Sequence, residues 1–102
     1  MRTGMLETDY RASRVCRILG NPTAYRVLKA LLGAQKTPSG IAHELGLSIF
    51  TVSFTLRGLR NVDLVRYEVR GREKIYWIKE DVIKTVCGSL ETLVGRVRRK
   101  VW

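Results

Sequence analysis

The sequence contains one histidine, two cysteines and two prolines, and no acidic residue at all between Tyr10 and His43. Each scarcity excludes something. A lone His43 beside Glu44 has no second imidazole with which to share a metal ion. Cys16 and Cys87 are too few for the disulfide framework of a small secreted domain, and their wide separation fits no zinc-binding spacing. No nucleophile elbow, glycine-rich phosphate loop or acid paired with histidine is present, so no catalytic site is expected and the chain does not read as an enzyme. No run approaches the roughly 18 apolar residues of a membrane span, and the N-terminus lacks a basic-then-apolar signal pattern. A cytoplasmic protein with no membrane partner is therefore expected. Internal repeats and low-complexity segments are also missing.

What is present is basic charge. Lys and Arg number 19 against 9 Asp and Glu, a formal net charge of +10. Such a surface favours a polyanionic partner through counterion release, and double-stranded DNA is the first candidate. At 102 residues and 45% hydrophobic content the chain can bury one modest core, so self-association is a natural way to add buried surface. A single domain spanning 1–102 and a homodimer are expected.

The organising stretch is Pro38 to Arg60, two short helices broken at Gly46. Thr37 can cap the first, with Pro38 at its first position, and Ser48 can cap the second. Gly46 supplies the positive φ of a tight turn. Ile41, Leu45, Leu47, Val52, Leu56 and Leu59 fall where two crossing helices bury them, and Ala42 permits close approach. The pattern is a helix-turn-helix, with the second helix, 48–60, as the reader.

Upstream, residues 1–9 read as a loose arm. Ala12, Val15, Cys16, Ile18 and Leu19 mark a first helix ended by Gly20. Asn21-Pro22 opens a second helix, with Val27, Leu28, Leu31 and Leu32 inward and Gly33 at its close. Downstream, Asn61 suits a left-handed C-cap, Leu64–Val69 alternates as a strand, Arg70-Gly71-Arg72 is a hairpin tip, and Glu73–Ile78 returns. These strands form a wing. From 80 to 102, apolar positions 82, 83, 86, 87, 90, 93, 94, 97 and 101 follow a helical repeat. The fold class is mainly α with a small β-hairpin (α+β), a winged helix-turn-helix in the order α-α-α-α-β-β-α.

The last helix is longer than this small domain needs for its own core, so its stripe is expected to face a second subunit, through Val86, Leu90, Leu93 and Val97 with Val15 and Leu19 of the first helix. A return over its own first helix is the other option, and both contacts can coexist. Arg96, Arg98, Arg99 and Lys100 crowd its end, where they complement the helix dipole or reach phosphates. Cys16 and Cys87 sit on these same two helices. They read either as small buried apolar groups or as a redox-sensitive thiol pair.

On a helical wheel, Phe50, Phe54 and Arg57 lie opposite the buried Val52, Leu56 and Leu59. Ser48, Phe50, Thr51, Ser53, Phe54, Arg57 and Arg60 are the candidate DNA contacts of the reading helix, and Arg70, Arg72 and Lys74 those of the wing. Phenylalanine can meet thymine methyls. Alternatively, Phe50 and Phe54 form a docking patch and the chain is a winged-helix protein-interaction module; as a third option one of the two rings is core.

Three strings, ILGNPTAYRVLKALL, HELGLSIFTVSFTLRGLRNVDLVRYE and REKIYWI, resemble the ArsR/SmtB family of dimeric winged-helix repressors. The resemblance covers roughly Val15 to Leu93 and is most specific from Leu45 to Val65. It implies a homodimeric repressor that binds operator DNA through recognition helix and wing, with the dimer built from the first and last helices. The chain departs from the family's metal sensors. Thr37 and Ser39 stand where paired cysteines are common, hydroxyls do not replace thiolates for soft metals, and Asp81 is followed by Val82 and Ile83 rather than by histidine. No metal and no cofactor is expected.

Overall fold

Residues 6–99 are described in the computed structural model of the protein, Arg99 by its backbone alone. The elements follow as α1 (Glu7–Leu19), α2 (Pro22–Ala30), α3 (Pro38–Leu45), α4 (Ile49–Asn61), β1 (Val65–Arg70), β2 (Glu73–Ile78) and α5 (Val82–Arg99). This is the expected order of a winged helix-turn-helix.

Local chemistry accounts for the helix boundaries. The side chains of Asn21, Thr37 and Ser48 accept from the N–H groups of Ala24, Gly40 and Thr51, and Pro22 and Pro38 occupy first turns. Gly46 ends α3 at φ 69°, ψ 35°, the left-handed region.

Four boundaries differ from the sequence expectation. First, α1 takes in Glu7 to Asp9, assigned above to the arm. Acids in a first turn suit the positive end of a helix, and Glu7 pairs with Arg11 one turn on. Residues 1–5 of that arm lie outside the described residues. Second, α2 stops at Ala30, three residues before Gly33, because the N–H groups of Leu31 and Leu32 fall back on the carbonyls of Leu28 and Lys29 at 3.0 and 3.1 Å. Third, Asn61 is still helical and the left-handed residue is Asp63, at φ 64°. The N–H groups of Asp63 and Leu64 close on Arg60 and Leu59 at 2.9 and 3.0 Å, which satisfies the last carbonyls of α4. Fourth, α5 begins at Val82, after a tight turn in which Ile83 and Lys84 donate to Glu80 and Asp81. Lys100 and Val101 lie outside the described residues.

The hairpin is antiparallel, Val65 facing Ile78 and Arg70 facing Glu73, around a two-residue turn of Gly71 and Arg72. Positive φ at Gly71 and not at Arg72 is the pattern that matches strand twist. Lys36, just before α3, adds a bridge on the other edge of β2: its N–H and carbonyl bond Tyr76 at 3.0 and 2.8 Å. This fastens the wing to the start of the helix-turn-helix.

The core joins Val27, Leu28 and Leu31 of the α2 segment, Ile41 and Ala42 of α3, Val52, Leu56 and Leu59 of α4, Val65 and Tyr76 of the wing, and Ile83 and Cys87 of α5. Helix α1 buries no residue fully and rests on α4 where Gly58 has no side chain. A Cβ there would stand 3.2 Å from Ile18 Cδ1. Only the first turns of α5 reach the core, and from Gly88 to Arg98 every residue is exposed. Its polar contacts go to α2 rather than α1: the Tyr25 hydroxyl donates to Glu91 Oε2 at 2.8 Å, and Lys29 Nζ donates to the same oxygen. Among the described residues, no helix is long and apolar enough to cross a membrane.

Candidate nucleic-acid interface

Helix α4 presents the face the wheel describes. Val52, Leu56 and Leu59 are fully buried, while Phe50 and Phe54 are 83% and 73% exposed. Neither ring is core, which removes the third option. Thr51, Arg57 and Arg60 are exposed on the same helix and Ser53 is half-buried. Ser48 is engaged locally: its oxygen accepts from the Thr51 N–H at 3.1 Å and its hydroxyl donates to Thr51 Oγ1 at 2.9 Å.

The wing meets the end of α4 through a residue the sequence reading does not single out. The Arg60 guanidinium lies 5.1 Å and the Lys74 ammonium 4.9 Å from the Tyr67 ring centroid. Two cations on one aromatic ring join the last turn of α4 to β2 in a single basic surface. Tyr67 in turn packs on Tyr76, ring centroids 5.1 Å apart. Burial is the main reason the Tyr76 phenol is pushed above its ordinary range, with Tyr67 adding to it and Arg60 and Arg57 opposing. A tyrosine at an alternate strand position in register with a second one is the signal in the sequence, visible only once the hairpin register is known.

Arg70 and Arg72 are not equivalent, although the sequence treats them alike. The Arg70 guanidinium donates to Glu68 and lies 3.5 Å from the Gln35 side-chain oxygen, so its charge is largely engaged. Residues two apart on a strand share a face, which is why Glu68 can reach it. Arg72 occupies the turn itself and makes no ion pair among the described residues.

Of the residues expected at a subunit contact, Val86, Leu90, Leu93 and Val97 are exposed together with Val82 and Val94. Val15 is half-buried, and Leu19 packs partly on its own core. The two cysteines are both free but differ: Cys16 is exposed, against the buried reading, and Cys87 lies in the core.

The sequence pattern of bacterial regulatory proteins of the arsR family matches residues 21–67. The HTH-type transcriptional regulator CmtR of Mycobacterium tuberculosis is 33% identical over 93 residues, covering 88% of this chain and 79% of that protein. The chain belongs to the arsR family. That membership makes it a transcriptional regulator rather than an enzyme. Among solved structures, the chain is similar to a homodimeric winged helix-turn-helix DNA-binding domain from Mycobacterium bovis, a possible ArsR-family regulator, with TM-score 0.80, 18% identity, and coverage of 98% of this chain and 96% of that one. NolR from Sinorhizobium fredii gives TM-score 0.78 at 22% identity over 93% and 98% of the two chains. These likenesses establish the fold. Within this arsR-family chain, the hydroxyls of Thr37 and Ser39 lie 3.2 Å apart, and that of Thr37 caps α3. His43 is exposed on α3 and Asp81 in the turn before α5.

Proposed function

We propose that this arsR-family regulator is a homodimeric, sequence-specific repressor that lays α4 in the major groove of its operator and sets the wing against the neighbouring phosphates or minor groove. The single observation that carries this reading is the basic surface in which Arg60 of α4 and Lys74 of the wing share the Tyr67 ring, with Arg57 exposed on the same helix and Arg72 exposed at the hairpin turn. Helix α4 itself contains no acid, so nothing on the reading helix repels phosphate. The chain acts as one domain, with α5 as the dimerising helix.

A titration onto mixed-sequence duplex DNA at several salt concentrations tests this. The wild type should weaken steeply as salt rises, and replacing Arg72 and Lys74 with Ala should flatten the slope of log affinity against log salt by roughly 0.9 for each phosphate no longer neutralised. Arg70→Ala should matter less, because Glu68 already engages that guanidinium. No binding even at low salt overturns the reading; binding with an unchanged slope removes the wing from it.

A further inference from the structure

We infer that Phe50 and Phe54 are the specificity-determining residues of α4, and that what they recognise is the 5-methyl group of thymine; this rests on the DNA-binding reading above. The leading turns of α4 can offer a base edge little that is polar. From Ser48 to Leu56 there is no Arg, Lys, Asn, Gln, Asp, Glu or His. The bidentate pairings that distinguish guanine or adenine in the major groove are therefore impossible along the part of a recognition helix that meets base edges. Ser48 is engaged in capping, and Thr51 accepts from it, leaving little beyond the Thr51 proton and half-buried Ser53 and Thr55. What is fully presented is two phenyl rings.

In the major groove, the only apolar feature that differs among base pairs is the thymine methyl. The spacing also fits. Four residues at about 1.5 Å each set the rings ~6 Å apart along the helix, close to two base-pair steps of ~3.4 Å. A helix lying along the groove then touches methyls on base pairs separated by one. Phe54 also forms one wall of an open depression of about 300 Å³ in which Ile18 and Ala24 stand beside the polar Asn21, Thr23 and Thr51, so some apolar surface continues beyond the ring.

The neighbours decide between nucleic acid and a protein partner. Arg57 and Arg60 follow the rings on the same helix without an acid between them, and the wing cations continue that surface. An apolar pair followed by Arg57 and Arg60 on an acid-free helix complements a polyanion whose grooves carry methyl groups.

The test uses the wild-type protein. Operator sites are selected from a random duplex library and each thymine in the preferred half-site is replaced by deoxyuracil, which removes the methyl and leaves the hydrogen-bonding edge intact. At two positions about two steps apart, affinity should fall about fourfold per methyl. Phe50→Ser with Phe54→Ser should bind thymine and uracil duplexes alike, while retaining salt-dependent binding through Arg57, Arg72 and Lys74. Wild type that binds DNA with steep salt dependence but ignores the uracil exchange overturns this inference and leaves the DNA-binding reading standing. A double variant that keeps both operator affinity and thymine discrimination also overturns it, and points to a protein-docking patch. Absence of any duplex binding by the wild type overturns both.

Discussion

Gly46 isolates a backbone effect from a packing effect. Its φ of 69° is one that L-residues rarely adopt, yet a Cβ at that position would meet nothing within 4 Å. Gly46→Ala should therefore lower stability by about 1–2 kcal/mol for conformational reasons alone. For a domain whose whole stability is roughly 5–15 kcal/mol, that is a clear drop in urea midpoint. An unchanged midpoint would mean the turn between α3 and α4 relaxes to another geometry. Asp63 occupies the same region at φ 64° after α4, a position that short polar side chains tolerate better than alanine.

At the scale of elements, α5 is held by a small base of buried residues and a polar latch. Ile83 and Cys87 enter the core, and one turn beyond Cys87 the Glu91 carboxylate receives both Lys29 and Tyr25. Lys29, and after it Tyr25, hold the Glu91 carboxyl below its ordinary range. Partial burial, followed by the bond to Glu91, pushes the Tyr25 phenol well up, so it stays a donor through neutral and moderately alkaline pH. Because the folded pKa of Glu91 is depressed, the latch contributes fully above the ordinary Glu value of about 4.3 and is lost as pH falls through the lower folded value. Labelling of Cys87, in a Cys16→Ser background and with a thiol reagent active in acid, reads this opening. Glu91→Gln should label faster than its parent at pH 7, and the two should converge in strong acid. Equal rates at pH 7 would show that Ile83 and Cys87 alone hold the helix.

The whole molecule is extended for its length. Its radius of gyration is 15.5 Å, against about 13 Å for a compact chain of 100 residues, and α5, unburied beyond its first turns, contributes to the excess. The stripe of Val82, Val86, Leu90, Leu93, Val94 and Val97 is exposed in the single chain. Each such side chain contributes at most roughly 1.5–3 kcal/mol on full burial before ordering entropy is subtracted, so covering the stripe with a second copy, as proposed above, would favour association. Leu90→Asp should place an unpaired charge in the proposed seam. Sedimentation should then show monomers, with weaker DNA binding because two half-sites are no longer held one helical turn apart. A variant that stays dimeric would put the interface elsewhere.

The sequence by itself determined much of what short-range chemistry governs, although the ends of α2 and α4 fell a few residues from where Gly33 and Asn61 point. Caps at Asn21, Thr37 and Ser48, the left-handed Gly46, the Gly71 turn and the apolar periodicity of α4 all follow from interactions a few residues apart, and these carry the fold and the reading face. The same locality made the Phe50 and Phe54 face legible, since a helix's opposite side is implied by its buried one. What only the tertiary structure decided depends on residues far apart in sequence. The Lys36 bridge to Tyr76 is a single pair with no pattern to announce it. The Tyr67 platform between Arg60 and Lys74 requires helix and hairpin to be docked before any cation can reach the ring. The difference between Cys16, exposed, and Cys87, buried, was equally illegible, because both sit on amphipathic helices whose burial is set by what packs on them. α5 likewise carries its stripe in the sequence, but that Ile83 and Cys87 are the two residues of it buried in the chain's own core depends on how the helix docks, which the periodicity does not encode.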